Sequence, residues 1–484
     1  MNIFKEESVN PLSSKLASYS KLGMHSFHTP GHKGREDILS SIKFPEHDLT
    51  ELPGLDMLHN PQGVIAEAQR LAADIYGAEE TFFLVNGATA GNQAMFLSLA
   101  SACCGKKILI DRRAHRSVVA GLILSGLEPE YIAPEIHPDF KLPLGLNIAS
   151  FCQDSEHIGA CHVTDPSYYG TSIDLGYILK WRNNKRPDLP ILVDQAHGAH
   201  FKGVIFPENA VSQGADAVVH STHKTLAALT QAGMLHVQGS RINRNTLKQS
   251  LELLQTSSPS YLLMESLEKA MSSWQDFCWG DLYEEVMALH KELDGILRIL
   301  TFNDVGSFGI SGLDWTKILV NVSTLEIEAD KVVELLRTSH LIEPELWDES
   351  NILFMLGIGS KPEDVRVLRK ALKSIAKQYG LSRRNCRNLK EQTDEQFLTA
   401  AKQLPPVRLT PREAWLAPKR KVTLKDCLGC LAGETISVYP PGIPLVAAGE
   451  EITPYVLSLL EQADSYRWQG WQGYKQKEIL IIDI

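Results

Sequence analysis

The sequence predicts an α/β protein: a mostly parallel sheet with helices on both faces, followed by a smaller α/β C-terminal domain. Apolar runs typical of strands alternate with helical patterns, and strands that alternate with helices pair in parallel. Runs such as Ile191–Val193 are apolar throughout, as buried parallel strands are. We therefore divide the 484 residues into an N-terminal arm (1–62), a large domain (63–300) and a C-terminal part (301–484) with a linker near 382–396.

The individual elements follow from local patterns along the chain. An irregular arm rich in Pro, Gly and His comes before an amphipathic helix at 63–75. The patterns of the large domain predict strands at 81–85, 107–110, 160–164, 190–193, 217–219 and 232–237, and helices at 93–102, 117–124 and 282–300. In the C-terminal part they predict a strand at 317–322 and a helix at 329–338.

Composition narrows the class of protein. The net charge of −10 argues against nucleic acid or an anionic membrane as the main partner, and no apolar run is long enough to predict a membrane span. The eight scattered cysteines are typical of a reduced, cytoplasmic protein. Cys427 and Cys430 form a lone C-x-x-C pair, which indicates packing rather than zinc and leaves a redox role open.

One cluster of histidines invites comparison with a metal site. His25, His28 and His32 are closely spaced, but Pro30 and Gly31 break any helix that would align them. We therefore predict no metal site.

Lys224 is the first candidate for catalysis. It follows the apolar run Ala217–Val219 and the polar residues Ser221 and His223. Burial disfavours the ammonium form of a lysine, and a neutral lysine amine can attack a carbonyl to form a Schiff base. A surface lysine in a polar turn is the alternative for this segment taken alone.

Two further segments favour the catalytic interpretation. Asp194 ends the run that begins at Ile191, and ligands of open α/β sheets bind at the carboxyl ends of strands. The small residues Gly87, Ala88 and Thr89 follow another strand, where backbone N–H groups can hold a phosphate at the start of a helix. A phosphate turn, an acid for a pyridine nitrogen and a lysine occur in the order that a pyridoxal-phosphate enzyme requires.

Longer motifs make the chain resemble a known family, the Orn/Lys/Arg decarboxylases, which are group III pyridoxal-dependent decarboxylases of the aspartate-aminotransferase fold. The motifs span most of the chain: His28–Gly34, Asp48–Asp56, Asp111–Ser117, Asp165–Gly170, the Asp194 and Lys224 segments, and Tyr439–Pro444. The resemblance is to the shorter form, which has no receiver-like N-terminal domain. It implies fold type I of the pyridoxal-phosphate enzymes, with a seven-stranded type of sheet.

The resemblance also implies an activity, α-decarboxylation of arginine, lysine or ornithine in polyamine metabolism. It implies a homodimer or an assembly of dimers, because relatives build each active site at a two-fold interface. An aminotransferase of the same fold and a non-catalytic regulatory protein that binds the cofactor are the alternatives.

Roles for individual residues follow from the same resemblance. Lys224 holds the cofactor, Asp194 keeps the pyridine nitrogen protonated, His115 stacks on one ring face and Ala196 packs under the other. The phosphate group is assigned to Gly87, Ala88, Thr89, Ser221 and His223, and His223 is also a candidate for proton transfer or for orientation by hydrogen bonding.

Two residues are assigned to the substrate, Glu434 for the distal cation and His197 beside the cofactor. An exposed acid is the alternative for Glu434. The chain departs from its relatives at Ala88 and Ala90, where many carry hydroxyl residues, and at Gln195, which replaces a frequent glutamate.

Overall fold

A seven-stranded sheet forms the centre of the protein in the computed structural model, which describes residues 19–40, 42–153, 156–380, 404–438, 443–461 and 468–483. Its strands, in spatial order, are Glu80–Leu84, Gly233–Val237, Ala217–His220, Ile191–Asp194, Ile158–Thr164, Lys107–Asp111 and Glu128–Ile132. Only Gly233–Val237 runs antiparallel to its neighbours. The prediction of a mostly parallel sheet is confirmed.

Helices cover both faces of this sheet, because successive side chains of a strand point to opposite sides. Ala217 and Val219 pack into one core, whereas Val218 packs into another. The first face is covered by the helices Gly87–Leu99, Arg116–Ser125 and Arg244–Leu254. The opposite face is covered by the helices Val64–Tyr76, Leu175–Lys185, Ala210–Gln213 and Tyr261–Gln275.

A smaller antiparallel sheet follows in the chain. Its strands, in spatial order, are Arg298–Ile299, Lys317–Asn321, Asn351–Met355 and Leu346–Trp347. The helices that share its hydrophobic core are Gly280–Leu293, Ala329–Ser339 and Pro362–Tyr379. The domain boundaries at 62 and 300 remain predictions.

The remaining elements are short. Paired strands outside the two main sheets are His25–Phe27 with Ile342–Pro344, Pro134–His137 with Leu142–Leu146, Thr171–Ser172 with Gly312–Leu313, Lys419–Thr423 with Glu478–Ile482, and Ile436–Val438 with both Ile443–Val446 and Trp468–Gln469. The other helices are Glu36–Leu39, Ile148–Phe151, Pro411–Leu416 and Pro454–Glu461. None of the helices in the described ranges has both the length and the apolar character needed to cross a membrane. The linker at 382–396 and the segment 439–442 lie outside the described residues.

Two predicted helices have different bounds in the structure. The helix predicted at 93–102 begins at Gly87 and ends at Leu99. Its small residues form the first helical turns rather than a separate turn, and Gly91 packs so close to the sheet that a Cβ atom there would lie 2.6 Å from Val219 Cγ2. The helix predicted at 282–300 ends at Leu293, because Gly295 adopts a φ of 70° and the chain turns into the strand Arg298–Ile299.

Candidate active site

A cavity of about 390 Å³ lies at the carboxyl ends of the central strands. Nearly all of the site residues predicted from the sequence line it: Gly87, Ala88, Thr89, His115, Asp194, Ala196, His197, Ser221, His223 and Lys224. They come from several separate chain segments, and the parallel sheet brings those segments to one edge. Their individual roles remain predictions.

Lys224 ends a short 3-10 turn, Thr222–Lys224, that directly follows the strand Ala217–His220. Burial lowers the pKa of Lys224, and the nearby carboxylates of Asp194 and Glu345 oppose this change. Its Nζ lies 2.8 Å from His197 Nε2. A lowered pKa increases the fraction of neutral amine, which is the form that attacks a carbonyl.

Asp194 is the last residue of its strand, and its carboxylate is only 3% exposed. Asn92 Nδ2 donates to Asp194 Oδ2 at 2.8 Å, and the backbone N–H of Ala196 donates to Oδ1 at 3.1 Å. Asn92 was not predicted, although a buried asparagine in an apolar helix is an unusual feature of the sequence. These two donors fix the orientation of the carboxylate at the cavity wall.

The other end of the cavity meets the start of the helix Gly87–Leu99. The first N–H groups of a helix have no partner within it, so those of Gly87, Ala88 and Thr89 are the natural site for an anion. Burial lowers the pKa of the neighbouring His223 to about 4. We infer that neutral His223 donates from Nδ1 to the Ala232 carbonyl, which is 3.1 Å away.

His115 is the N-cap of the helix Arg116–Ser125. Its Nδ1 accepts the backbone N–H of Ser117 at 3.2 Å. Burial lowers the pKa of His115, and the charge of Asp194 opposes this change. The cap fixes the imidazole at the cavity wall, and its stacking on a cofactor ring remains a prediction.

His197 is buried, although histidine is a polar residue. It is 5% exposed, and burial together with the charges of Lys224 and Lys317 holds its pKa well below the ordinary value. Its Nδ1 is buried and has no hydrogen-bond partner among the described residues. His197 lines the cavity, and its other nitrogen, Nε2, contacts Lys224.

Tyr168 and Glu345 complete the wall beside Lys224. Tyr168 Oη donates to Glu345 Oε1 at 2.5 Å, and its ring centre lies 5.9 Å from Lys224 Nζ. Tyr168 lies within one of the motifs above, but no pattern assigned it a role. No sequence signal pointed to Glu345.

Glu434 is not brought into this cavity. Its carboxylate is 7% exposed and accepts the backbone N–H groups of Gln472 at 2.9 Å and Leu480 at 3.0 Å. Burial raises its pKa. Both oxygens of Glu434 are thus engaged in holding the C-terminal segment, and a contact with the substrate remains a prediction.

The three clustered histidines have separate partners. His25 Nδ1 pairs with Asp364, His28 Nδ1 lies beside the Thr29 carbonyl, and His32 Nδ1 accepts the N–H of Gly34. No group of three or more His, Cys, Asp or Glu side chains within the described ranges is arranged to hold a metal.

The C-x-x-C pair is partly buried and carries free thiols. Burial raises the pKa of the Cys427 thiol to about 11, so its reactive thiolate form is scarce at neutral pH. A redox role for Cys427 and Cys430 stays open.

The cavity fits pyridoxal phosphate in both size and chemistry. Helix N–H groups match its phosphate, the Asp194 carboxylate matches a protonated ring nitrogen, and the Lys224 amine matches its aldehyde. The residues that would hold this cofactor are therefore present in one cavity.

Comparisons with known proteins agree with this geometry. A model of the Orn/Lys/Arg decarboxylase major domain matches residues 10–298. The uncharacterized protein YaaO of Bacillus subtilis (strain 168) is 35% identical over 97% of this chain and 98% of its own length. An arginine decarboxylase of the same organism is 32% identical over 93% of this chain and 92% of its own length.

A solved structure shares the fold. The Francisella novicida lysine decarboxylase LdcF superposes with a TM-score of 0.72 at 18% identity, covering 98% of this chain and 81% of that one. The predicted fold, type I of the pyridoxal-phosphate enzymes, is confirmed.

Proposed function

Because this chain belongs to the Orn/Lys/Arg decarboxylase family, we propose that it removes the α-carboxyl group of arginine and releases the corresponding amine and carbon dioxide. The chain is a pyridoxal-phosphate-dependent decarboxylase, so the proposal concerns its substrate. A relative with 32% identity is an arginine decarboxylase, whereas the lysine decarboxylases found by the same comparison are 23% to 24% identical. The structural observation that best supports decarboxylation is that Lys224, Asp194 and the helix start at Gly87 line one cavity.

Each residue has a distinct task in this reaction. When bound, pyridoxal phosphate supplies a sink for the electron pair of the bond between Cα and the carboxylate. Asp194 keeps a proton on the ring nitrogen, and the helix N–H groups hold the phosphate. Lys224 would hold the cofactor covalently, and its contact with His197 would place a second nitrogen beside the reacting atoms.

The aminotransferase alternative requires an arginine that is free to bind the substrate α-carboxylate. An aminotransferase holds the substrate α-carboxylate with an arginine, and Arg113 is one of two arginines at the cavity. Its guanidinium is engaged by the Asp111 carboxylate and by the carbonyls of Leu144 and Thr164. Arg113 is therefore unavailable to a substrate carboxylate, which leaves Arg116 as the one lining arginine among the described residues that could serve this alternative.

Steady-state kinetics with arginine, lysine and ornithine tests the substrate. We expect kcat/KM for arginine to exceed the other two values by about tenfold or more, because a planar guanidinium and a compact ammonium fit different acceptors. Carbon dioxide and amine release are both measured. A higher kcat/KM for lysine or ornithine rejects arginine, and keto-acid formation in place of amine rejects decarboxylation.

We further propose a homodimer or an assembly of dimers in the cytoplasm, with an amine product that enters polyamine metabolism. Among the described residues that line the cavity, Asp194 is the only carboxylate, and the cofactor ring would engage it. The distal cation of a substrate needs another acid, and we propose that a second copy supplies it.

Light scattering combined with an activity assay tests the assembly. We expect the active species to have at least twice the mass of one chain across the assay concentration range, because each active site would need both copies. An active monomer contradicts the proposal.

A further inference from the structure

Hydrogen bonds join Tyr168, Glu345 and Thr29, which lie far apart in the sequence, in the region beside Lys224. Glu345 Oε1 accepts the Tyr168 hydroxyl at 2.5 Å, and Oε2 accepts the backbone N–H of Thr29 at 2.8 Å. Both carboxylate oxygens are therefore engaged. The phenol ring is anchored between the N-terminal arm and the segment that leads to the small sheet.

The ring of Tyr168 packs against the imidazole of His197, so the contact that fixes the phenol also restrains the imidazole. The two ring centres are 4.5 Å apart at an interplanar angle of 56°, and His197 Nε2 lies 2.8 Å from Lys224 Nζ. Because His197 Nδ1 has no partner among the described residues, hydrogen bonding at that nitrogen does not fix the imidazole. Its orientation depends on the Lys224 contact and on the face that Tyr168 presents.

We propose that Tyr168 and Glu345 are a positioning pair that keeps the His197 imidazole against Lys224, a role that rests on the proposed decarboxylase function. Neither residue needs to touch the reacting atoms. Their effect passes through His197, which holds the Lys224 amine in one orientation. A loose imidazole would let Nζ rotate away, and small displacements of a reacting group are costly in rate.

Glu345 also contributes charge at this position. The groups that act on Lys224 are the carboxylates of Asp194 and Glu345, which favour the ammonium, and Lys317, which disfavours it, while burial has the largest effect. His197 and the Tyr168 ring also face Nζ. Removing the charge of Glu345 is therefore expected to lower the pKa of Lys224 further, whereas removing the Tyr168 hydroxyl leaves that charge in place.

Kinetics of Tyr168→Phe, Glu345→Gln and the double variant test the pair. Each single variant should lower kcat on the preferred substrate by about tenfold or more, with a smaller change in KM. The double variant should lose no more than the worse single variant, because both changes break the same contact. Losses that multiply in the double variant would reject a shared role.

Recombination of pyridoxal phosphate with the cofactor-free protein gives a readout that does not depend on turnover. The rate, followed by absorbance across pH, reports when the Lys224 amine becomes neutral. We expect the midpoint to move to lower pH in Glu345→Gln and not to fall in Tyr168→Phe. The matched control is Glu343→Gln, which removes the same charge two residues earlier, where Glu343 pairs with Arg337.

The outcomes separate this inference from the proposed function. A midpoint equal to that of the wild type in Glu345→Gln, or an equal shift in Glu343→Gln, rejects the pair even when decarboxylation is confirmed. Wild type that binds the cofactor but decarboxylates no basic amino acid rejects the function instead. If Glu345→Gln does not fold, Tyr168→Phe decides, because an unchanged kcat in that variant rejects the pair.

Discussion

Lys224→Ala should abolish decarboxylation, because no other amine in the described part of the cavity is placed to bind the cofactor covalently. The variant should still fold, since alanine removes a side chain whose ammonium form is disfavoured by burial. Mass spectrometry after borohydride reduction measures the effect directly. Wild type should carry one cofactor per chain, and the variant none.

Lys373→Ala is a suitable control for this experiment. Lys373 is exposed and pairs with Glu292 on the surface, far from any assigned role. Its variant should keep both the covalent cofactor and full activity. Activity in Lys224→Ala comparable to that of the wild type would refute the assignment of Lys224.

Asp194→Asn should retain the cofactor and lose about a thousandfold or more in kcat, which corresponds to about 4 kcal/mol. A neutral amide does not stabilise a protonated ring nitrogen, so the electron sink weakens. The predicted phosphate contacts at Gly87, Ala88 and Thr89 should be unaffected by the change. Absorbance measures retention of the cofactor, and steady-state kinetics measures the rate.

The matched control is Asp174→Asn, the same substitution at a helix N-cap. Asp174 accepts the backbone N–H of Tyr177, and asparagine caps a helix about as well as aspartate. Its rate should match that of the wild type. A rate within about threefold of wild type in Asp194→Asn, about 0.7 kcal/mol, would show that Asp194 does not control the sink.

Local pattern predicted six of the seven strands of the central sheet and missed the edge strand Glu128–Ile132. The strands at 107–110 and 160–164 were predicted within a few residues of Lys107–Asp111 and Ile158–Thr164. Boundaries were less predictable where packing overrides pattern. The close approach of Gly91, in the helix that begins at Gly87, to Val219 is a contact across 128 positions that no local window contains.

The residues of the candidate site also fall into those that a local pattern predicts and those whose contacts it does not predict. Asp194 and Lys224 were predictable because each follows an apolar run, and parallel strands bring their carboxyl ends to one edge of a sheet. The contacts of Glu434 could not be predicted from its neighbours in sequence, since its two backbone partners lie 38 and 46 residues further along the chain.

The sequence by itself therefore determined the fold class, the cofactor and the residues at the strand ends, because these depend on short-range patterns of burial and polarity. Only the tertiary structure revealed Asn92 as the partner of Asp194, and Glu345 as the partner of Tyr168. These pairs are separated by 102 and 177 positions. Such contacts exist only after the helices and sheets have packed, so no local pattern in the chain encodes them.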